Sequence, residues 1–125
     1  MSKQTGLPVL GQEQRTCCAP LTREPLGADE AARLAHVLKA LADPARLRLL
    51  SLIGSHDGGE ACVCDLTGAF DLTAPTISHH LKVLREAGLI TADRRGTWVY
   101  YRLASTALAD LAGLFTPALE PAGIR

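Results

Sequence analysis

The sequence predicts a mainly α-helical domain with one small β-hairpin, and three observations carry that prediction. Apolar residues recur at helical spacing through five stretches between residues 29 and 116. Residues 73–88, TAPTISHHLKVLREAG, set an apolar stripe of Ile77, Leu81 and Leu84 against an opposite face of small polar and basic side chains. Residues 89–94 and 97–103 are β-branched and aromatic runs about a turn at Arg95-Gly96. With 125 residues the chain is long enough to bury one core without staples.

The elements follow in order. Residues 1–28 hold Gly6, Pro8, Gly11, Pro20, Pro25 and Gly27 with no sustained period, which predicts a flexible arm carrying Cys17-Cys18 and a short helical piece at 12–15. A domain is expected over residues 29–118 and a tail over 119–125. Asp29 opens a helix over 29–42 with Leu34, Val37, Leu38 and Leu41 inward. Asp43-Pro44 is a cap followed by a first-turn proline, so a second helix runs to about Ile53 with Leu47, Leu50 and Ile53 inside. His56-Asp57-Gly58-Gly59 reads as a loop, and 60–70 as a short helix with Val63, Leu66 and Phe70 on one face. Thr73 caps the helix over 73–88, Pro75 lies in its first turn and Gly88 ends it. Ser105 caps a last helix that stops before Pro117.

Two short helices joined by a tight turn, the second with a polar outer face, make a helix-turn-helix, and a basic hairpin directly after it makes a wing. The predicted architecture is a winged helix-turn-helix with an added helix at each end. Thr76, Ser78, His79 and Lys82 face outward on residues 73–88, where a helix entering a DNA major groove needs short donors and positive charge. Arg94 and Arg95 at the hairpin tip suit phosphates. So small a domain leaves the apolar faces of its end helices partly uncovered. Leu34, Leu38, Leu108, Leu111 and Phe115 are therefore expected to meet a second copy in a two-fold homodimer. Such a dimer places two reading helices in successive major grooves about 34–36 Å apart on a pseudo-palindromic duplex.

Composition narrows the class. The chain is 47% hydrophobic and 21% charged, the balance of a globular protein, and no apolar run approaches the roughly 20 residues of a membrane span. The N-terminal residues lack a long apolar stretch, so no signal peptide and no membrane partner are expected, the compartment is cytoplasmic, and the four cysteines should be reduced thiols. Net charge is zero, which argues against a general polyanion binder. Residues 76–102 nevertheless carry five cations against two carboxylates, a local excess suited to specific, salt-sensitive DNA binding.

Four segments, LKALADPARLRLLSLI, EACVCDLTGAF, TAPTISHHLKVLREAGLI and RRGTWVYYRL, together resemble the ArsR/SmtB metalloregulatory repressors over residues 31–114. The resemblance implies a dimeric winged-helix repressor that leaves its operator when a toxic metal ion binds. It also implies that the CVCD motif belongs with thiolate sensors of arsenite or of cadmium and lead. A third cysteine that follows CVCD on the same helix in some arsenic sensors is missing here. Cys17-Cys18 stands in the arm instead, as in relatives whose site joins arm to helix. The last helix has Asp110 but no histidine, so the Asp and His site of the zinc and nickel sensors is not expected.

The thiols admit several arrangements. A lone buried cysteine is an ordinary small hydrophobe, whereas adjacent thiols in an arm without a core have no such use and oxidise easily. Neither pair has zinc-finger spacing. Residues two apart on a helix point about 200° from each other, so Cys62 and Cys64 face one ion only if the helix starts late, leaving Cys62 before it; otherwise one of them is the ligand. Trivalent arsenic takes three thiolates, which Cys17, Cys18 and one of Cys62 or Cys64 satisfy. Cadmium or lead would take all four. Arsenite is the favoured effector, with antimonite, cadmium and lead as further candidates and a thiol redox regulator as the alternative class. Enzyme chemistry is not expected: His79-His80 lack a carboxylate or nucleophile at usable spacing, no small organic substrate is implied, and no βαβ pattern surrounds the CxC pair.

Overall fold

The computed structural model describes residues 20–116, which fall in two compact units, Ala28–Ser105 and one containing residues 20–27 and 106–116. The expected arm helix at 12–15, Cys17-Cys18 and the tail at 119–125 lie outside the described residues. Among those described there are five α-helices and one three-stranded antiparallel sheet, so the mainly α winged helix-turn-helix prediction holds.

The first unit begins with α1 (Ala28–Leu41), whose Asp29 and Glu30 stand at the positive end of the helix dipole and Lys39 at the negative end. Asp43 breaks the helix with extended backbone, φ −151° and ψ 129°, and caps α2 (Pro44–Ser55) by accepting the Arg46 N–H at 3.1 Å. That N–H, more than any charge, holds the Asp43 carboxyl below its ordinary range. The buried face of α2 is Leu49, Leu50 and Ile53. Leu47, expected inside, is 52% exposed, and Leu49 takes its place in the core. Both lie within one turn of Leu50, so the apolar pattern alone did not choose between them.

The largest correction concerns residues 60–70. A 3₁₀ turn, Asp57–Gly59, ends in two left-handed residues, Gly58 and Gly59 at φ 73° and 74°, which turn the chain into a strand rather than a helix. Glu60–Cys62 is β1, and only Val63–Thr67 forms α3. Pairing with the hairpin overrides the local helical pattern. Helix α4 (Ala74–Glu86) follows as expected, with Thr73 Oγ1 accepting the Thr76 N–H at 3.3 Å and Ile77, Leu81 and Leu84 buried.

Strands β2 (Ile90–Arg95) and β3 (Trp98–Leu103) form the hairpin, in register from Ile90↔Leu103 to Arg95↔Trp98. The loop is therefore Gly96-Thr97, one residue later than the sequence suggests, with Gly96 at φ 64° supplying the positive φ that a two-residue hairpin loop demands. β1 adds to β3 as Glu60↔Arg102, Ala61↔Tyr101 and Cys62↔Tyr100, giving the order β1-β3-β2. The core of this unit is Ala40, Leu49, Leu50, Ile53, Ala61, Cys62, Leu66, Ile77, Leu81, Leu84, Leu89 and Ile90. Burying side chains of this size contributes about 1.5–3 kcal/mol each before entropy is subtracted.

Helix α5 (Ser105–Leu114), in the second unit from Thr106 onward, accepts a bond from the Leu21 N–H at its Leu114 carbonyl, 2.7 Å. No residue of α5 is buried, Leu108 and Leu111 are half-buried, and Phe115 is 56% exposed. In the first unit, α1 buries only Ala40, with Leu34 and Leu38 half-buried. No helix among the described residues is long and apolar enough to cross a membrane.

Candidate nucleic-acid interface and thiol site

Helix α4 presents Thr76, Ser78, His79 and Lys82 on its exposed face, all four where helical periodicity puts them. Thr76 is not wholly free, because its hydroxyl lies 2.9 Å from that of Thr73. A contact absent from the sequence reading anchors the opposite side. Arg46 on α2 donates through Nε to the Ala40 carbonyl at 2.6 Å, and its Nη1 lies 3.1 Å from His80 Nδ1 on α4. One guanidinium thus joins an unsatisfied carbonyl at the end of α1 to the helix that carries the polar face. His80 is half-buried.

The hairpin is more constrained than its charge suggests. Arg95 donates to both Glu60 oxygens, Nη1 to Oε2 at 2.7 Å and Nη2 to Oε1 at 2.8 Å, and through Nε to Asp93 Oδ2 at 2.9 Å. Its guanidinium carbon also lies 4.6 Å from the Tyr100 ring centroid. Arg102 Nη2 approaches Glu60 Oε1 at 3.3 Å. The bidentate bond from Arg95 holds Glu60 below the usual carboxylate range, and the same pair pushes Arg95 still higher. Arg94 makes no hydrogen bond or ion pair among the described residues, and neighbouring Trp98 is 54% exposed. No spacing rule links Glu60 to an arginine 35 positions away, so this clamp was invisible in the sequence.

The cysteine pair resolves the geometric alternative in favour of a late helix start. Cys62 ends β1 as the N-cap of α3 with extended backbone, φ −88° and ψ 166°, while Cys64 lies in the first turn. Their sulfurs are joined in a disulfide with the Cα atoms 5.3 Å apart. The expectation of reduced thiols is corrected here: a strand-to-helix junction between the two residues removes the divergence that a regular helix would impose. Asp65 accepts the Cys62 N–H at 3.0 Å, the return half of a capping box, and lies 3.5 Å from His56 Nε2. The CxxD spacing is the signal from which this cap could have been read. Ligand atoms of Cys62, Cys64 and Asp65 lie within 4.8 Å of one another. When reduced, this set offers two soft thiolates and one carboxylate, which fits a thiophilic centre and leaves a pyramidal three-thiolate ion one ligand short. Cys17 and Cys18 lie outside the described residues.

Residues 43–92, from the cap of α2 into β2, match the family described as bacterial regulatory protein, arsR family. A solved structure from Mycobacterium bovis, the homodimeric winged helix-turn-helix DNA-binding domain of a possible ArsR-family transcriptional regulator, is 33% identical. The match covers 71% of this chain and 84% of that one, with a TM-score of 0.57. The chain belongs to the ArsR family. Among curated relatives, the arsenic resistance transcriptional regulator ArsR1 of Pseudomonas putida is 54% identical over 67 residues, 54% of this chain and 51% of that protein. The arsenical resistance operon repressor of Bacillus subtilis is 48% identical over 65 residues, 52% of this chain and 60% of the relative. The chain spans only half to three-fifths of the length of these two relatives. Cys62, Cys64 and the outward residues of α4 fall inside the family match; Arg94 and Arg95 fall beyond it.

Proposed function

We propose that this ArsR-family chain is an arsenite-responsive transcriptional repressor. It binds a pseudo-palindromic operator as a cytoplasmic homodimer when free of effector, and dissociates when trivalent arsenic is held by cysteine thiolates. One observation carries the reading: the sulfurs of Cys62 and Cys64 converge at the N-cap of α3, immediately ahead of the α4 reading helix. The site supplies two thiolates on reduction, and Cys17 or Cys18 from the arm would supply the third. Thr76, Ser78 and His79 read base edges, while Lys82 and Arg94 serve phosphates. The partly covered faces of α1 and α5, with Leu34, Leu38, Leu108, Leu111 and Phe115, form the dimer contact. The arsenical-resistance relatives and the homodimeric solved domain support the same reading.

Restraint of α3 by a bound ion alters the helix-turn-helix, and linkage requires operator and effector to disfavour each other equally, typically by about 1–3 kcal/mol. The test is titration of the reduced full chain with arsenite, antimonite, cadmium and lead, following operator release by fluorescence anisotropy. Arsenite should release the wild type. Cys17→Ser/Cys18→Ser should keep operator affinity and lose release; release at the wild-type arsenite concentration would remove the arm from the sensor. A tighter response to cadmium or lead requiring all four cysteines would move the effector to those ions. The Cys62–Cys64 disulfide supports a second reading, a thiol redox regulator. Operator release on oxidation, with no response to arsenite, would favour it.

A further inference from the structure

Strand β1 carries two features only two residues apart. Its last residue, Cys62, holds one sulfur of the thiol pair; its first, Glu60, grips the hairpin through both forks of Arg95. Ala61 between them is fully buried opposite Tyr101, which leaves little slack in the strand. Both ends also lead to Tyr100, since Cys62 is in register with it and the Arg95 that Glu60 grips lies over its ring. Exposed ion pairs of this kind add little to stability, but a bidentate arginine–carboxylate pair fixes relative position in a way a single contact does not.

We propose that Glu60 is a positioning residue through which the state of the Cys62/Cys64 pair sets the placement of the wing. The inference rests on the reading of that pair as the effector site. A ligand that draws the Cys62 sulfur toward itself shifts β1 along β3, and the Glu60 carboxylate moves with the strand. Arg95 follows, because Glu60 and Asp93 hold it between them, and the Arg95–Trp98 rung at the hairpin tip is displaced. Release from DNA then acts through the wing as well as through α4.

Trp98 makes this measurable. It is the sole tryptophan of the chain, it is exposed, and it is the register partner of Arg95. In one arm, the reduced full chain is titrated with arsenite without DNA, reading occupancy from thiolate–arsenic absorption in the near ultraviolet and wing placement from Trp98 emission. In a second arm, Cys17→Ser/Cys18→Ser chain is compared as disulfide and as dithiol. A phosphine cleaves the bond, giving two thiols and a phosphine oxide whose oxygen comes from water. Emission should change in step with occupancy in the first arm and with reduction in the second. Glu60→Gln should bind arsenite with unchanged absorption, lose the emission change, and lower the ratio of operator affinities without and with arsenite by about tenfold. Glu60→Asp, which keeps a carboxylate facing Arg95 and Arg102, should retain part of both readouts.

Operator affinity without effector is not diagnostic, because removing a carboxylate beside the wing also strengthens attraction for phosphate. Should Glu60→Gln fail to fold by circular dichroism, Arg95→Met breaks the same pair from the other strand and is read in the same way. Unchanged Trp98 emission in both arms, or a Glu60 variant that responds like the wild type, overturns the proposal. Absence of thiolate–arsenic absorption overturns the arsenite reading alone, and the disulfide arm still decides on Glu60.

Discussion

Replacing Arg46 with methionine isolates the anchor beneath α4. Methionine keeps most of the apolar stem, so the loss is confined to the guanidinium. Three contacts disappear: Nε to the Ala40 carbonyl at 2.6 Å, Nη1 to His80 Nδ1 at 3.1 Å, and a long one from Nη2 to the Lys39 carbonyl at 3.4 Å. A hydrogen bond from a charged group is worth about 1.5–3 kcal/mol, and this side chain is half-buried, so the low end applies to the two short bonds and little to the third. The sum is about 2–3 kcal/mol, roughly a 10 °C fall in Tm or more for a domain of this size. Urea unfolding at fixed protomer concentration should show a lower midpoint with an unchanged slope. Arg46→Lys, with one compact donor in place of a fork, should recover less than half. Operator affinity at a temperature where the variant stays folded should fall more than affinity for random DNA, since α4 loses a tether rather than a phosphate contact. A loss below about 0.5 kcal/mol would place Arg46 with ordinary surface residues and refute the anchor.

Other expectations concern DNA, the dimer and acid stability. Ser78→Ala or His79→Ala should each cost about 1–3 kcal/mol on the operator and little on random DNA, whereas Lys82→Ala and Arg94→Ala should weaken both and flatten the salt dependence; competition titrations at several salt concentrations separate the two behaviours. Leu111→Glu should put a charge into the dimer contact and yield monomer by analytical ultracentrifugation, with operator affinity lost alongside; an intact dimer would move the contact elsewhere. Asp43 has a depressed carboxyl in the folded chain, so its cap contributes fully above the unfolded value near 3.9 and is lost as pH falls through the lower folded one. Asp43→Asn should accordingly lower the urea midpoint at neutral pH and converge with the wild type as pH falls from about 7 toward 3, which flattens the acid limb.

Much of the fold could be read from residue order because local chemistry and tertiary structure agree there. Asp43-Pro44 and Thr73-x-Pro75 are caps that work as written, and the Ile77, Leu81, Leu84 stripe is buried as its period demands. Disagreement begins where long-range pairing decides. Glu60–Cys62 has a helical neighbourhood in sequence but completes a sheet with the distant residues Tyr100, Tyr101 and Arg102. That one change brought the two sulfurs together and delivered Glu60 to Arg95. The outward residues of α4 were legible because a helix declares its faces; the engagement of Arg95 was not, because an ion pair between distant residues leaves no periodic trace.

The wing strand β2 is the open edge of its sheet, with its outer backbone groups unpaired among the described residues and every residue from Thr91 to Arg95 exposed. Such an edge invites pairing with the strand of another molecule, and charged side chains are the usual guard against it. Here the guard is Asp93, Arg94 and Arg95, the same group that gives the hairpin its charge. Neutralising the tip to test its proposed phosphate contacts would therefore also strip the edge. Precipitation of such a variant at high concentration would then reflect strand-to-strand association of folded molecules, and an added Thr91→Lys should return solubility without returning operator affinity.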